Sequence, residues 1–332
     1  MTFSIRTALL FFAIALGTLS CRCDAPRAVG GGGAAFTKCA GGSHDGQRTE
    51  VSLPPLRLIR DGRTLEIKGP DQPMVTLGLL SGLNEPDATT LSHIRFFLEQ
   101  FKGAEVQMIL VAGGVGVSEA DNRTILTALS EAPIPILVSP GAEENFGALR
   151  KVIRELNAHH PQLIDMTLVR RVLLRHVSVL SLPGYFQPYY LEAGAQGCAY
   201  DKGDLSLLRS LVDKEHTHLL LSASPPRGVG PEAVDIGRGN VNIGDPALAS
   251  ALAESGIRFG LFGHVHEAAG NATQDDGKTP AAPGLWHDSL YLQAGAADAV
   301  PVSTVGGGMM AGVGHVVELS GDRARYRRIA VP

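Results

Sequence analysis

Two histidines one residue apart carry the clearest chemistry in this sequence. They stand in Gly263-His264-Val265-His266, directly after the apolar run Phe259–Phe262. In extended or tightly turned backbone, residues i and i+2 face the same side, so the two imidazoles converge where a strand ends. Imidazole suits divalent metals such as Zn, and loops at strand ends line the sites of α/β proteins. Two imidazoles alone do not make a centre, because catalytic zinc takes three protein ligands and structural zinc four. The rest of the chain has to supply the partners.

Four other apolar runs end in loops that could do so. Val75–Leu80 enters Ser81-Gly82-Leu83-Asn84, and Val106–Ala112 enters Gly113-Gly114-Val115-Gly116. Ile134–Val138 enters Ser139-Pro140-Gly141-Ala142-Glu143-Glu144, and His218–Ser222 enters Ala223-Ser224-Pro225-Pro226-Arg227. Between these runs, apolar residues recur at helical spacing. One stripe is Leu91, Ile94, Leu98 and Phe101, stopped by Gly103; others are Ile125, Leu126 and Leu129, and Phe146, Leu149, Ile153 and Leu156. Asp245-Pro246 starts a helix with an N-cap acid and a first-turn proline; Leu248 and Leu252 continue it and Gly256 ends it. Strand–helix alternation predicts parallel strands with helices packed on the sheet. Asp61-Gly62 reads as a hairpin turn, Val172–Leu182 as one strand, and Trp286–Ala294, Gly312–Leu319 and Ala324–Val331 as late strands.

Few of these loops carry ligands. Asn84 is a weak neutral donor. Glu143 can complete a single-metal site with His264 and His266; alternatively, Glu143 and Glu144 are solvated loop charges, favoured by the dipole of the helix that follows. Arg227 is placed to meet an anion or to pair with a surface acid. Gly113-Gly114-Val115-Gly116 lacks the spacing of a dinucleotide loop, since Glu119 stands where the third glycine belongs. His93, His159, His160, His216, His218, His287 and His315 read as structural or surface residues.

In order and spacing, these loops resemble those of the calcineurin-like metallophosphoesterases, over most of residues 70–332. That family's motifs are Asp-x-His, Gly-Asp, Gly-Asn-His-Asp/Glu, a histidine after an apolar strand, and Gly-His-x-His. The matching positions here are Gly82-Leu83-Asn84, Gly113-Gly114, Gly141-Ala142-Glu143-Glu144, Ala223, and Gly263-His264-Val265-His266. The resemblance implies an α/β fold, a two-sheet β-sandwich flanked by helices in four layers, with the late strands in a second sheet. It also implies that the two-metal centre is lost, because Gly82, Gly114, Ala142 and Ala223 offer no ligand and Asn84 a poor one. His266 would remain for the first metal and His264 for the second. The expectation is a non-catalytic binding or structural protein with no cofactor. The competing expectation is a phosphoesterase with one Zn or Mn at His264, His266 and Glu143.

The N-terminus supplies a setting. Arg6, the apolar run Ala8–Leu19 and Thr18-Leu19-Ser20-Cys21 read as a lipoprotein signal over residues 1–20, acylated at Cys21; an ordinary secretory signal cut near Ser20 is the alternative. Residues 21–50, with the Gly30–Ala35 run, read as a flexible linker, and residues 51–332 as one domain. This places the protein in the bacterial envelope, lipid-anchored to a membrane and facing the periplasm or exterior, with an unknown envelope protein or ligand as partner. There are four cysteines: Cys23 and Cys39 could pair within the linker, and Cys198 reads as a buried thiol. A net charge of −4 without a basic cluster argues against nucleic acid.

Overall fold

The computed structural model describes residues 37–39, 48–187 and 197–332. The signal, Cys21 and Cys23 therefore lie outside the described residues. The compact unit spans Phe36–Pro332.

Two sheets face each other. The six-stranded sheet carries the parallel strands Val75–Leu80, Met108–Ala112, Ile136–Ser139 and Leu163–Asp165, with the antiparallel hairpin Val313–Ser320 and Arg323–Ala330 added beside Val75–Leu80. The nine-stranded sheet has the parallel strands Val177–Leu182, Thr217–Ser222, Phe259–Phe262 and Leu290–Gln293 at its heart. Its far edge is a meander of Thr49–Leu53, Leu56–Asp61 and Thr64–Lys68, the last two joined by the expected Asp61-Gly62 turn. These central strands are apolar on both faces because both faces are covered. Leu77, Leu79 and Leu110 meet Val179, Leu219, Leu221 and Leu261 between the sheets.

Helices complete four layers, as expected. α1 (Ala88–Gly103), α2 (Glu119–Leu129) and α3 (Phe146–Asn157) bury Phe97, Leu126 and Leu149 on the outer face of the six-stranded sheet. α4 (Lys202–Ser210) and α5 (Pro246–Ser255) bury Leu208, Leu248 and Leu252 on the nine-stranded sheet. Each helix starts at a polar cap. Asp87, Asn145 and Asp245 accept first-turn N–H bonds, and Ser118 and Asp201 form reciprocal boxes with Asp121 and Asp204. α5 ends at Gly256 in the left-handed conformation (φ +66°), as its sequence requires.

Several expectations need correction. Val172–Leu182 is two antiparallel strands, Arg171–Leu174 and Val177–Leu182, because the chain reverses at Arg175 (φ +57°). The late strands divide: Leu290–Gln293 extends the nine-stranded sheet, and only the two C-terminal strands join the other. Cys198 is not a free thiol, and Cys39 does not pair within the linker. The two form a disulfide with Cα atoms 4.9 Å apart, beside a short parallel pairing of Thr37–Lys38 with Cys198–Ala199. Thr37–Cys39, assigned from sequence to the linker, are thus tied to the folded unit.

Candidate functional site

The C-terminal ends of the parallel strands from both sheets converge on one crevice. Its walls are the loops at Ser81–Asn84, Ala112–Gly114, Gly141–Glu143, Ala223 and His264–His266. The fold thus brings together the five motif loops singled out from sequence. The loops are stitched by backbone bonds from Gly82 N to Gly113 O (3.2 Å), Gly113 N to Ser139 O (2.9 Å) and Gly263 N to Ser222 O (3.2 Å). Ser81 Oγ donates to Ala112 O at 2.9 Å across the same junction.

The crevice is closed and leaves no room for a water-sized sphere. Glycine backbone fills it. A Cβ on Gly114 (φ +72°) would lie 2.5 Å from Gly82 N and 2.6 Å from its Cα. Gly263 backs onto Ala112 O, which a Cβ would approach to 1.9 Å. Ala142 and Ala223 are buried beside them. The positions that lack ligands are occupied by neighbouring main chain rather than left as holes.

Glu144 departs most from expectation. It is not a solvated loop charge but 1% exposed. Its Oε1 accepts from Gly114 N (2.6 Å) and Val115 N (3.2 Å), and its Oε2 from Gly141 N (2.9 Å). The side chain bolts the second loop to the third. Burial pushes its carboxyl up from the usual range, opposed by these N–H donors. The neighbouring Glu143 is half-buried at the crevice mouth, where its Oε2 accepts from Asn84 Nδ2.

His264 is half-buried in left-handed backbone (φ +67°), with its ring 4.4 Å from that of Tyr185. Burial pushes it down to about 4, with a smaller push from His266, so it is neutral at pH 7. His266 opens a short 3₁₀ turn, His266–Ala268, and faces both the closed crevice and an open one outside it. That outer crevice, about 270 Å³, is lined by Asn84, Glu85, Glu143, His266 and Asp298 with Val117, Val300 and Val302. Asp298, missed from sequence because no motif marks it, clips the first loop. Its carboxylate accepts from Asn84 N and Val300 N (both 3.2 Å), and its own N–H donates to Gly82 O (3.0 Å). Burial raises Asp298 to about 6.

Arg227 is engaged elsewhere. Its Nε donates to Gly244 O (2.8 Å) and lies 3.7 Å from Oδ2 of Asp235, an acid that is buried rather than on the surface. His216 and His218 both lean on Asp213, at the opposite end of their strand. His93 is buried with Nδ1 3.3 Å from Ala297 O, and His315 is fully buried.

These residues do not fit a two-metal centre. No bridging carboxylate projects from position 114, and the backbone of Gly82 occupies the space one would need. Among the described residues, no group of three or more His, Cys, Asp or Glu is placed to hold a metal ion. What the arrangement offers is an outer crevice with valine walls, three acids and one half-exposed imidazole.

Comparison with known proteins rests on the fold. No family model and no curated protein matches the chain. Solved structures do. A dimetal phosphatase from Danio rerio shares 13% identity at a TM-score of 0.50, covering 79% of this chain and all of that one. GAP50, the anchor in the inner membrane complex of Plasmodium, shares 11% at 0.50, covering 78% and 85%. The purple acid phosphatase PPD1 from yellow lupin shares 8% at 0.50, covering 82% and 56%. The chain has the fold of the calcineurin-like metallophosphoesterases.

Proposed function

We propose that this protein is a non-catalytic relative of the metallophosphoesterases, held in the bacterial envelope by a lipid on Cys21 and acting by binding. The observation that carries the reading is the closure of the crevice, with main chain standing where metal ligands and metals would be. A lost ligand set could leave a loose, refillable hole; here Glu144 and Asp298 bolt the loops shut. A phosphoesterase acting through metals needs them to polarise the phosphoryl group and to generate hydroxide, and the donors for that are not assembled among the described residues. GAP50, of similar fold, is described as an anchor, which is in keeping with a use of this fold in attachment. The outer crevice, with Glu85, Glu143 and Asp298, is the surface on which binding would act.

The test is metal analysis of the chain purified with Zn and Mn present, beside a His264→Ala/His266→Ala variant. Well under one metal per chain is expected, with no hydrolysis of an aryl phosphodiester by either protein. One or two tightly held metals, and an activity that vanishes in the variant, would establish the single-metal phosphoesterase instead. The anchor is tested by Cys21→Ala, which should release the protein from membranes; retention with fatty-acid labelling would refute it.

A further inference from the structure

A second concavity shares no residue with the site above. The edge strand of one sheet, Thr49–Leu53, and that of the other, Leu163–Asp165, end the sandwich side by side, and α3 runs along the gap. Between them is a groove of about 470 Å³, within the range of sites for small ligands. Its walls are apolar in part, with Val51, Leu58 and Leu65 on one side and Ile153, Leu163 and Leu168 on the other.

The groove is also basic. Arg60, Arg150, Lys151 and Arg154 line it against a single acid, Asp165. Arg150 spends its charge on Asp165 (Nε to Oδ2, 3.4 Å) and lies over the Phe146 ring, and Lys151 pairs with Glu119 at 2.8 Å. Arg154, one helical turn beyond Arg150, makes no ion pair among the described residues. Arg60 makes no ion pair among the described residues either, its Nε donating to Gly62 O (3.0 Å), but it is half-buried where Arg154 is exposed. A partly apolar slot with an accessible, uncommitted cation at its rim calls for an apolar chain ending in an anion. A peptide is the poorer fit, because a bound strand needs a ladder and these edges offer only five and three residues. An acyl chain has no polar groups along its length and needs only the walls.

The geometry points to this groove as a binding site for a free long-chain fatty acid, its tail between the sheet edges and its carboxylate on Arg154. The test titrates the full chain with cis-parinaric acid and follows its fluorescence. Saturation at one per chain is expected, with displacement by palmitate at a several-fold lower concentration than by hexadecanol, and weaker still by hexadecyltrimethylammonium. Arg154→Glu, an exposed change, should weaken binding about fivefold or more, the scale of one exposed charge pair. Val51→Asp should abolish it while circular dichroism and melting confirm the fold. If Val51→Asp fails to fold, a chain-length series replaces it: affinity should rise about fourfold per methylene until the groove is full. The proposal is overturned by a flat series, by equal displacement with the alcohol, or by an Arg154→Glu variant that binds like the parent. It is also overturned if sedimentation shows that the groove joins two copies of the chain, with the dimer lost in Val51→Asp.

Discussion

Restoring one lost carboxylate separates a sealed crevice from an empty one. In Gly114→Asp, the new Cβ meets Gly82 N at 2.5 Å and Gly82 Cα at 2.6 Å, and both are main-chain atoms that no rotamer change can move. Left-handed backbone at φ +72° costs aspartate about 1 kcal/mol. Forcing the loops apart adds the overpacking cost of about 1–3 kcal/mol. It also stretches the bonds from Gly82 N to Gly113 O and from Leu83 N to Gly114 O, each contributing about 1 kcal/mol. The sum is a loss of about 4–6 kcal/mol, or roughly 7–10 °C in Tm for a domain of this size. Thermal and denaturant unfolding would measure it, against Gly103→Ala as a control, where a Cβ meets nothing within 4 Å. A Gly114→Asp protein that melts like its parent, or that gains tight Zn or Mn binding, would show that the loops open readily and that the sealed-crevice reasoning is wrong.

Two further substitutions probe the same fold. Glu144→Ala leaves the Gly114, Val115 and Gly141 N–H groups without their acceptor. A loss of about 3 kcal/mol is expected in denaturant melts, and a loss under about 0.5 kcal/mol would mean that the bolt bears no load. His315, fully buried with no hydrogen-bond partner for either ring nitrogen, is pushed down to about 3 by burial, helped by Arg328. Its unfolded value is near 6.5, so the unfolded chain takes up the proton first. The stability of the parent is full above pH 6.5 and falls as pH drops towards 3, by on the order of 4 kcal/mol in total. His315→Leu should match or exceed the parent at pH 7.5 and pull ahead at pH 5; an equal pH dependence in the two proteins would remove His315 as the cause.

Much of this fold is legible in the sequence because its central strands are buried on both faces and its helices carry caps. Asp245-Pro246 marks a helix start by chemistry that depends only on neighbours, and it holds. The reversal at Arg175 was invisible because no glycine, proline or asparagine marks it. Cys39 and Cys198 are separated by 159 residues, a distance that local pattern cannot bridge. Glu144 and Glu143 are adjacent and identical in type, yet one is a buried bolt and the other a half-buried crevice residue. Which is which depends chiefly on two amide groups of the second loop, Gly114 and Val115, that join Gly141 of the glutamates' own loop as donors, a fact of tertiary packing. Asp298 was missed for the same reason: its partners, Asn84 and Gly82, lie on the first loop, more than two hundred residues away.

The sequence motifs locate the site by subtraction, and the structure changes what the subtraction means. Read in sequence, Gly82 and Gly114 are two independent losses. In the fold they are one contact, since position 114 can lie against the Gly82 main chain only while it lacks a side chain. A Cβ on Gly82 would in turn sit 3.0 Å from the Cα of Ala296, so the packing continues into the segment that carries Asp298. Residues coupled in this way give non-additive energetics. Asp at 114 should be costly alone, and adding Asp at 82 should not rescue it, because the side chain at 114 needs the Gly82 main chain to retreat while one at 82 presses that same main chain against Ala296. Reopening the crevice would require the Glu144 and Asp298 clips to release together with both glycines. The outer crevice rests on those same clips, so the closed loops are the scaffold that holds Asn84, Glu143 and His266 in place at its mouth.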